Sequence, residues 1–425
     1  MIWTLGALPL ALMLFGLPIF IVLLAAVTST LLLFMQVPLT VLHQTMFGAL
    51  DSVALLAIPF FIYAGELMGS SSVARRLVDF VGAGVSKVPG NLAVTTIGTA
   101  TLFGAISGAS AAAVATIGKA MLPALRRARY PDHFSAGLIT AVGAIDIIIP
   151  PSIPMIVYGM AASESVPRLY AAGILPGLLI AGLLVLYVMW VAKREGIGDR
   201  GAFDWRDLFV KMRKAAWALG APVVILGGIY GGVFSPTESA AVACVYSALI
   251  TRFVYSELSW QQIVQAAART VFFTAQVLII VACASVFAWL LTVNQVPAAL
   301  VSWIKEMQVP TWGLLLAVNV LLLLVGCFLD PLSSILLLSP LLVPLVTAAG
   351  VDSVHFGIVV MVNLAIGLFH PPFGINIFVA QSALGLDLKV IYRGIMPFLA
   401  LYLLALGLIT YLPQIALTSM RLFMN

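Results

Sequence analysis

The sequence predicts an all-α polytopic membrane protein of about eleven transmembrane segments plus two re-entrant hairpins, folded as an inverted repeat. Three observations carry this expectation. Of 425 residues, 62% are hydrophobic and only 9% charged, where soluble domains carry roughly 25% charged residues. Apolar stretches of nearly a bilayer's length recur from end to end, for example at 177–192, 215–229, 271–291 and 398–412. Two of the apolar runs are interrupted by proline pairs, "AIDIIIPPSIPMIVYG" (144–159) and "AIGLFHPPFGINIFVA" (365–380), and Pro371 stands 221 positions after Pro150.

From the N-terminus, no Lys or Arg precedes Arg75, so the start lacks the basic region of a cleavable signal peptide. Met1 to Phe34 is expected to be a retained first span, hinged near Gly16-Leu17-Pro18. The net charge of +5 resides in short loops, where it reports orientation and not nucleic-acid binding. Cys244, Cys283 and Cys327 lie in apolar segments without CxxC spacing, as small packing residues do.

The 221-residue offset also links Pro89 to Pro310, Pro123 to Pro344, Gly173 to Gly394 and Pro176 to Pro397. A duplicated unit follows, with repeats at 50–192 and 271–412. Between them, 193–270 holds a polar loop (193–214) and two spans meeting at "FSPTESAAV". Ser235 there is placed as an N-cap, with Pro236 at the first helical position and Glu238 closing a capping box. Arg126, Arg127 and Arg129 follow Pro123, whereas the stretch after Pro344 has no basic residue; Lys193 and Arg194 end the first repeat, and the second ends in "LPQIALTS". Basic loops favour the cytoplasm, so corresponding loops face opposite sides.

Breaking a helix in hydrocarbon frees carbonyls that have no water to bond, which is tolerable only where the backbone lines a cavity or is buried. The freed carbonyls suit a cation, and the N-terminus of the next half-helix suits an anion. An inverted repeat with one broken helix per half therefore points to secondary transport, with broken helices at about 134–160 and 355–384. Upstream of each break, "FGAISGASAAAVATIG" and "VGCFLDPLSSILLLSP" have arms too short for two crossings and read as re-entrant hairpins at about 92–124 and 313–347. Their tips offer Ser107, Gly108, Ser110 and Asp330, Ser333, Ser334. Simple kinks at the prolines, and close helix packing through Gly104 and Gly108, are the plainer alternatives. An acidic group at this depth is a functional candidate. Asp330 is the strongest; Asp146 is either a ligand or a holder of backbone groups; Glu66 and Asp51 are expected to end spans. His370, beside the proline pair, is read first as structural.

Four segments taken together, "PFFIYAGELMGSSSVARRLVDF", "FGAISGASAAAVATIG", "IIPPSIPMIVYG" and "GVFSPTESAAVACVYSALI", resemble the large membrane subunit of TRAP (tripartite ATP-independent periplasmic) transporters, over nearly the whole chain. The resemblance implies a sodium-driven importer of organic acids in the bacterial inner membrane, working by an elevator motion. It also implies a separate small membrane subunit of about four spans and a periplasmic binding protein that delivers the solute, which includes C4-dicarboxylates, sialic acids or other sugar carboxylates. Carried onto this sequence, it puts one sodium site at Ser107, Gly108, Ser110, Pro150 and Ser152. A second falls at Gly326, Asp330, Ser333, Pro371 and Asn376, with two or more ions in all. The substrate carboxylate is expected near Ser110, Ser152, Gly374 and Asn376. The second tip, "CFLDPLSS", lacks the Gly and Ser density of the first, so the two sites are expected to differ.

Oxygen donors of this kind suit a hard cation such as sodium, and no other metal is expected. The competing readings are an ion channel, which needs a polar ring or filter absent here, and an intramembrane aspartyl protease using Asp146 and Asp330. The repeat puts those two aspartates at unequal positions, Asp146 corresponding to Gly367. No catalytic residue is therefore expected, and the chain is read as a transporter and not an enzyme.

Overall fold

The computed structural model describes residues 3–35, 37–197 and 201–424; the expected polar loop at 193–214 thus includes three residues, 198–200, outside the described ones. Helix makes up 82% of the structure, and the described residues contain no strand. Within the helices the backbone groups bond inside their own segment, as a bilayer demands. The protein is a multi-pass membrane protein.

The N-terminal region breaks where expected. The helix Leu8–Leu14 stops before Gly16, which adopts φ +73°, and Pro18 leads into Ile19–Phe34. Bent and amphipathic pieces follow, up to Val73–Gly84.

Ten helices then position the site. In the first half they are α1 (Asn91–Ser107), α2 (Ser110–Arg127), α3 (Asp132–Val142), α4 (Ile153–Ala161) and α5 (Val166–Glu195). In the second half they are α6 (Thr311–Gly326), α7 (Pro331–Ala348), α8 (Ser353–Gly367), α9 (Ile375–Leu384) and α10 (Leu388–Tyr411). Each helix of the first set starts 220 to 222 positions before its counterpart in the second. The corresponding pair α5 and α10 run antiparallel: Arg194 at the end of α5 shares a cavity with Arg393 in the first turns of α10, and Tyr187 meets Phe398.

Length alone does not separate spans from hairpin arms, because α7, the second arm of the second hairpin, passes the same test as the long spans. Among the described residues five helices are long and apolar enough to cross a membrane, and a bent pair, Thr40–Leu50 with Val53–Gly69, makes up to a sixth. The arms α1 and α2 have 17 and 18 residues. At 1.5 Å per residue each is about 26 Å long, short of the ~30 Å hydrocarbon layer. The half-helices α4 and α9 are shorter still. Of the expected total of about eleven spans, length and composition admit up to six among the described residues.

Close approach decides how the first broken helix is held. Where α3 crosses α10, Gly137 and Gly394 face each other so tightly that a Cβ on either would overlap the other helix's backbone. Tyr402 continues the contact, its hydroxyl donating to the Ala141 carbonyl at 2.9 Å.

Between the halves, the capping box at Ser235 and Glu238 is complete: each side chain takes the other's backbone N–H, at 3.2 and 2.7 Å. Ser235→Ala removes one of these bonds and leaves the site untouched. It is expected to lower stability by about 1 kcal/mol, seen as a small drop in thermal midpoint with uptake unchanged.

Candidate functional site

The break after α3 is a staged one. A 3₁₀ turn, Gly143–Ile147, leads to a cis peptide bond between Pro150 and Pro151, and α4 begins after Ser152. Ser152 is fully buried in extended conformation, and its hydroxyl donates back across the gap to the Ile147 carbonyl at 2.7 Å. The second break has the same construction. The Pro371–Pro372 bond is cis, and the Asn376 N–H donates back to the Leu368 carbonyl at 2.9 Å. Both proline pairs thus separate true half-helices and do not merely kink a continuous one.

The hairpin tips differ in how they turn. The first turns on Gly108, whose φ of +59° favours a residue without Cβ, and no side chain caps α2. The second turns at Cys327 to Leu329 and ends on Asp330, which caps α7. One carboxylate oxygen accepts the N–H groups of Leu332 and Ser333 at 3.0 and 3.2 Å, and the other takes the Ser333 hydroxyl. Asp330, the first choice among the acidic residues, is therefore occupied as an N-cap while its edge lines the central cavity.

Each hairpin bridges both halves. The first arm of each, α1 and α6, packs on the broken helix of its own half. The second arm, α2 or α7, packs on the second half-helix of the opposite half, α9 or α4 respectively. Ser110 at the start of α2 consequently meets Asn376 in the first turn of α9. Asn376 Nδ2 donates to Ser110 Oγ at 2.9 Å, and that hydroxyl lies 3.1 Å from Asn376 Oδ1. Asn376 Nδ2 also reaches the Thr140 carbonyl at 3.3 Å. Asn376, expected in the second sodium site with Gly326 and Ser333, thus has its amide engaged with the first hairpin.

These elements enclose a cavity of about 460 Å³. Ser107, Gly108, Ser110, Asp330 and Asn376 all line it, while the helix Ala57–Gly69 contributes Glu66 and Trp260–Val293 contributes Phe273. Pro150, Ser152, Gly326, Ser333, Pro371 and Gly374 are not in the lining. Glu66 makes an ion pair with Arg269 at 2.6 Å, tying those two flanking helices together. Asp51 ends the helix Thr40–Leu50, as expected.

Orphaned polar atoms mark where something else belongs. Both carboxylate oxygens of fully buried Asp146 lack a hydrogen-bond partner, and so does the hydroxyl of Ser107. Asp146 sits against the backbone of α1 one turn before Ser107, so close that a Cβ on Gly104 would fall 2.5 Å from Oδ1. The Ala109 backbone at the tip is also near, without a hydrogen bond of full geometry. In the second half the orphans include Ser334 Oγ, Asn363 Oδ1 and, outside the hairpin and break, Thr274 Oγ1. Asn363 donates to Asn319, which donates to Thr410, in a buried chain across α8, α6 and α10. His370 Nδ1 lies 3.1 Å from Cys327 Sγ, a link between break and hairpin. Among the described residues no cluster of His, Cys, Asp and Glu is arranged to hold a metal ion.

The sequence matches the DctM component of tripartite ATP-independent periplasmic transporters over residues 7–415. The chain belongs to this family. It is a TRAP large membrane subunit, 39% identical over 91% of both chains to the C4-dicarboxylate TRAP transporter large permease protein DctM of Pseudomonas aeruginosa. The isethionate TRAP transporter permease protein DctMQ of Oleidesulfovibrio alaskensis is also 39% identical over 94% of this chain, which spans 63% of that longer relative. Among solved structures, the YdaH transporter of Alcanivorax borkumensis shares the fold at a TM-score of 0.63 and 16% identity, covering 88% of this TRAP subunit and 87% of that chain.

Two features of this TRAP subunit's site escaped the sequence reading. Asn363 carries no neighbouring motif and stands where the first half has Val142. The capping role of Asp330 did have a signal, since Asp330-Pro331 repeats the N-cap and proline pattern of Ser235-Pro236.

Proposed function

We propose that this subunit imports a small organic acid across the bacterial inner membrane, driven by sodium and supplied by a periplasmic binding protein. A separate small membrane subunit of about four spans completes it in the bilayer. The observation that carries the reading is the partnerless, fully buried carboxylate of Asp146, packed on α1 one turn before the likewise partnerless Ser107, which lines a cavity where both hairpins and a broken helix meet. An ionised carboxylate in such a place is costly unless a cation or donor pairs with it. The donor set is hard oxygen, which fits sodium.

Asp146, Ser107 and the tip backbone at Gly108 would hold the first ion, with the carbonyls freed before Pro150 and Ser152 closing the shell. Ser110 links the same tip to Asn376. The second ion would be held by the Gly326 tip, Ser333, the backbone at Pro371 and the orphan oxygens of Ser334 and Asn363, with Asp330 supplying charge from its cap. Sodium supplies positive charge near the cavity, and the half-helix N-termini at Ser152 and Gly374 add their dipoles, which favours an acid headgroup against Ser110 and Asn376. Because each hairpin clasps both halves, the two tips and two breaks can move as one body past the flanking helices, an elevator motion. The relatives' names, C4-dicarboxylate and isethionate, are both those of small acids.

The test is uptake by proteoliposomes holding the complete complex with its binding protein. A panel of C4-dicarboxylates, isethionate and sugar acids is expected to show accumulation of at least one solute only under an inward sodium gradient. Accumulation sustained by potassium alone, or by a pH gradient alone, would reject sodium coupling.

A further inference from the structure

Among the described residues five ion pairs tie charged groups of the helices and loops. Arg76 binds Glu257, Arg126 binds Asp132, Arg168 binds Glu164, Lys211 binds Asp207 and Arg269 binds Glu66. Arg194 and Arg393 are in none of these pairs, and they are set apart by lining one cavity of about 290 Å³ together. His133 and Glu195 also face it, and among the described residues Glu195 is the one acidic group in the lining.

The position of this cavity restricts its ligand. It lies where the last turn of α5 meets the first turns of α10 and the start of α3, and α5 and α10 are both candidate spans. Tyr187 and Trp190 form its wall, and Arg194 lies 5.2 Å from the centre of the Trp190 ring. Aromatic rings of this kind belong to the belt at the headgroup level. Lys193 and Lys389 flank the two arginines in sequence, and Arg126, through Asp132, stands on the same edge. A field of basic residues at the end of spans attracts anionic lipid, and two guanidinium forks match the oxygens of a phosphodiester.

We propose that Arg194 and Arg393 form a binding site for the phosphodiester headgroup of an anionic phospholipid, whose glycerol and upper chain rest on Tyr187, Trp190 and Pro397. One lipid there touches α3, α5 and α10 together. It joins the first half of one broken helix to the helices that follow both breaks. Nothing in the transport cycle proposed above requires this site, and its test is independent of sodium.

The experiment is native mass spectrometry of the full chain, purified with its membrane partner in mild detergent and supplemented with phosphatidylglycerol or phosphatidylcholine. Retention of phosphatidylglycerol over phosphatidylcholine is expected. The double variant Arg194→Gln with Arg393→Gln should weaken phosphatidylglycerol retention by roughly tenfold while leaving phosphatidylcholine unchanged. A second double variant, Lys193→Gln with Lys389→Gln, makes the same charge change outside the cavity and should stay close to the parent. Equal loss in both variants would reduce the effect to general charge and overturn the site, as would unchanged retention in the arginine variant. Inorganic phosphate and glycerol phosphate form the soluble arm. Displacement of the lipid by either at millimolar concentration would show a free-anion site and overturn the lipid assignment.

Discussion

Asp146→Asn is expected to raise the sodium concentration needed for half-maximal uptake by roughly 10- to 100-fold, since a contact with a charged group contributes ~1.5–3 kcal/mol. The substitution keeps shape and removes charge, so the tip of the first hairpin has no reason to move. Its second consequence has the opposite sign. The Asp146 carboxylate is fully buried without a partner, a state that costs the fold free energy when no cation is present. In potassium buffer the variant should therefore melt at a higher temperature than the parent, and the rise in midpoint that sodium gives the parent should vanish. Ser107→Ala, which removes a neutral donor oxygen, should produce a smaller change in sodium dependence. The two readouts are a sodium titration of uptake in proteoliposomes and a thermal melt in sodium against potassium. An unchanged titration together with an unchanged melt would remove Asp146 from the ion site. Loss of folded protein would instead make it a structural group.

The case of Asp146 shows what a sequence withholds. Its neighbours are three isoleucines and an alanine, so no local pattern distinguishes a ligand from a side chain that holds backbone. What distinguishes it is the lack of any partner after folding, which is a property of the surroundings. The breaks were legible because proline acts locally: a missing donor and a steric clash end a helix wherever it sits. The capping box at Ser235 was legible for the same reason, since its bonds run between residues three apart. The Ser110–Asn376 contact joins residues 266 positions apart, and periodicity carries no information at that range. Duplication suggested that each half would build its own site, but the second arms of the hairpins cross to the opposite half. Asp330 was read through depth alone. An acidic residue in an apolar run reads as functional, and the competing N-cap signal of Asp330-Pro331 was present in the same stretch.

Gly394→Val is expected to prevent the folded transporter from forming, because the space it needs is filled by backbone. A Cβ at this position would overlap the His133 carbonyl and come within 2.9 Å of the Gly137 nitrogen. Overpacking against side chains typically costs 1–3 kcal/mol after repacking. Here no rotamer change relieves the clash, and the cost should exceed about 3 kcal/mol, the upper end of that range. Separating α3 from α10 would also lengthen the bond from Tyr402 to the Ala141 carbonyl, which anchors the last turn of α3 before the break. Gly407, farther along the same helix, has nothing within 4 Å of where its Cβ would be. Gly407→Val is therefore expected to fold and transport close to the parent, with only the modest propensity change of a glycine replaced in a helix. Size-exclusion profiles of the two fluorescently tagged variants extracted from membranes make the comparison. A monodisperse, active Gly394→Val protein would mean that α3 and α10 do not cross at their glycines, and the first broken helix would then be held in place by some other contact.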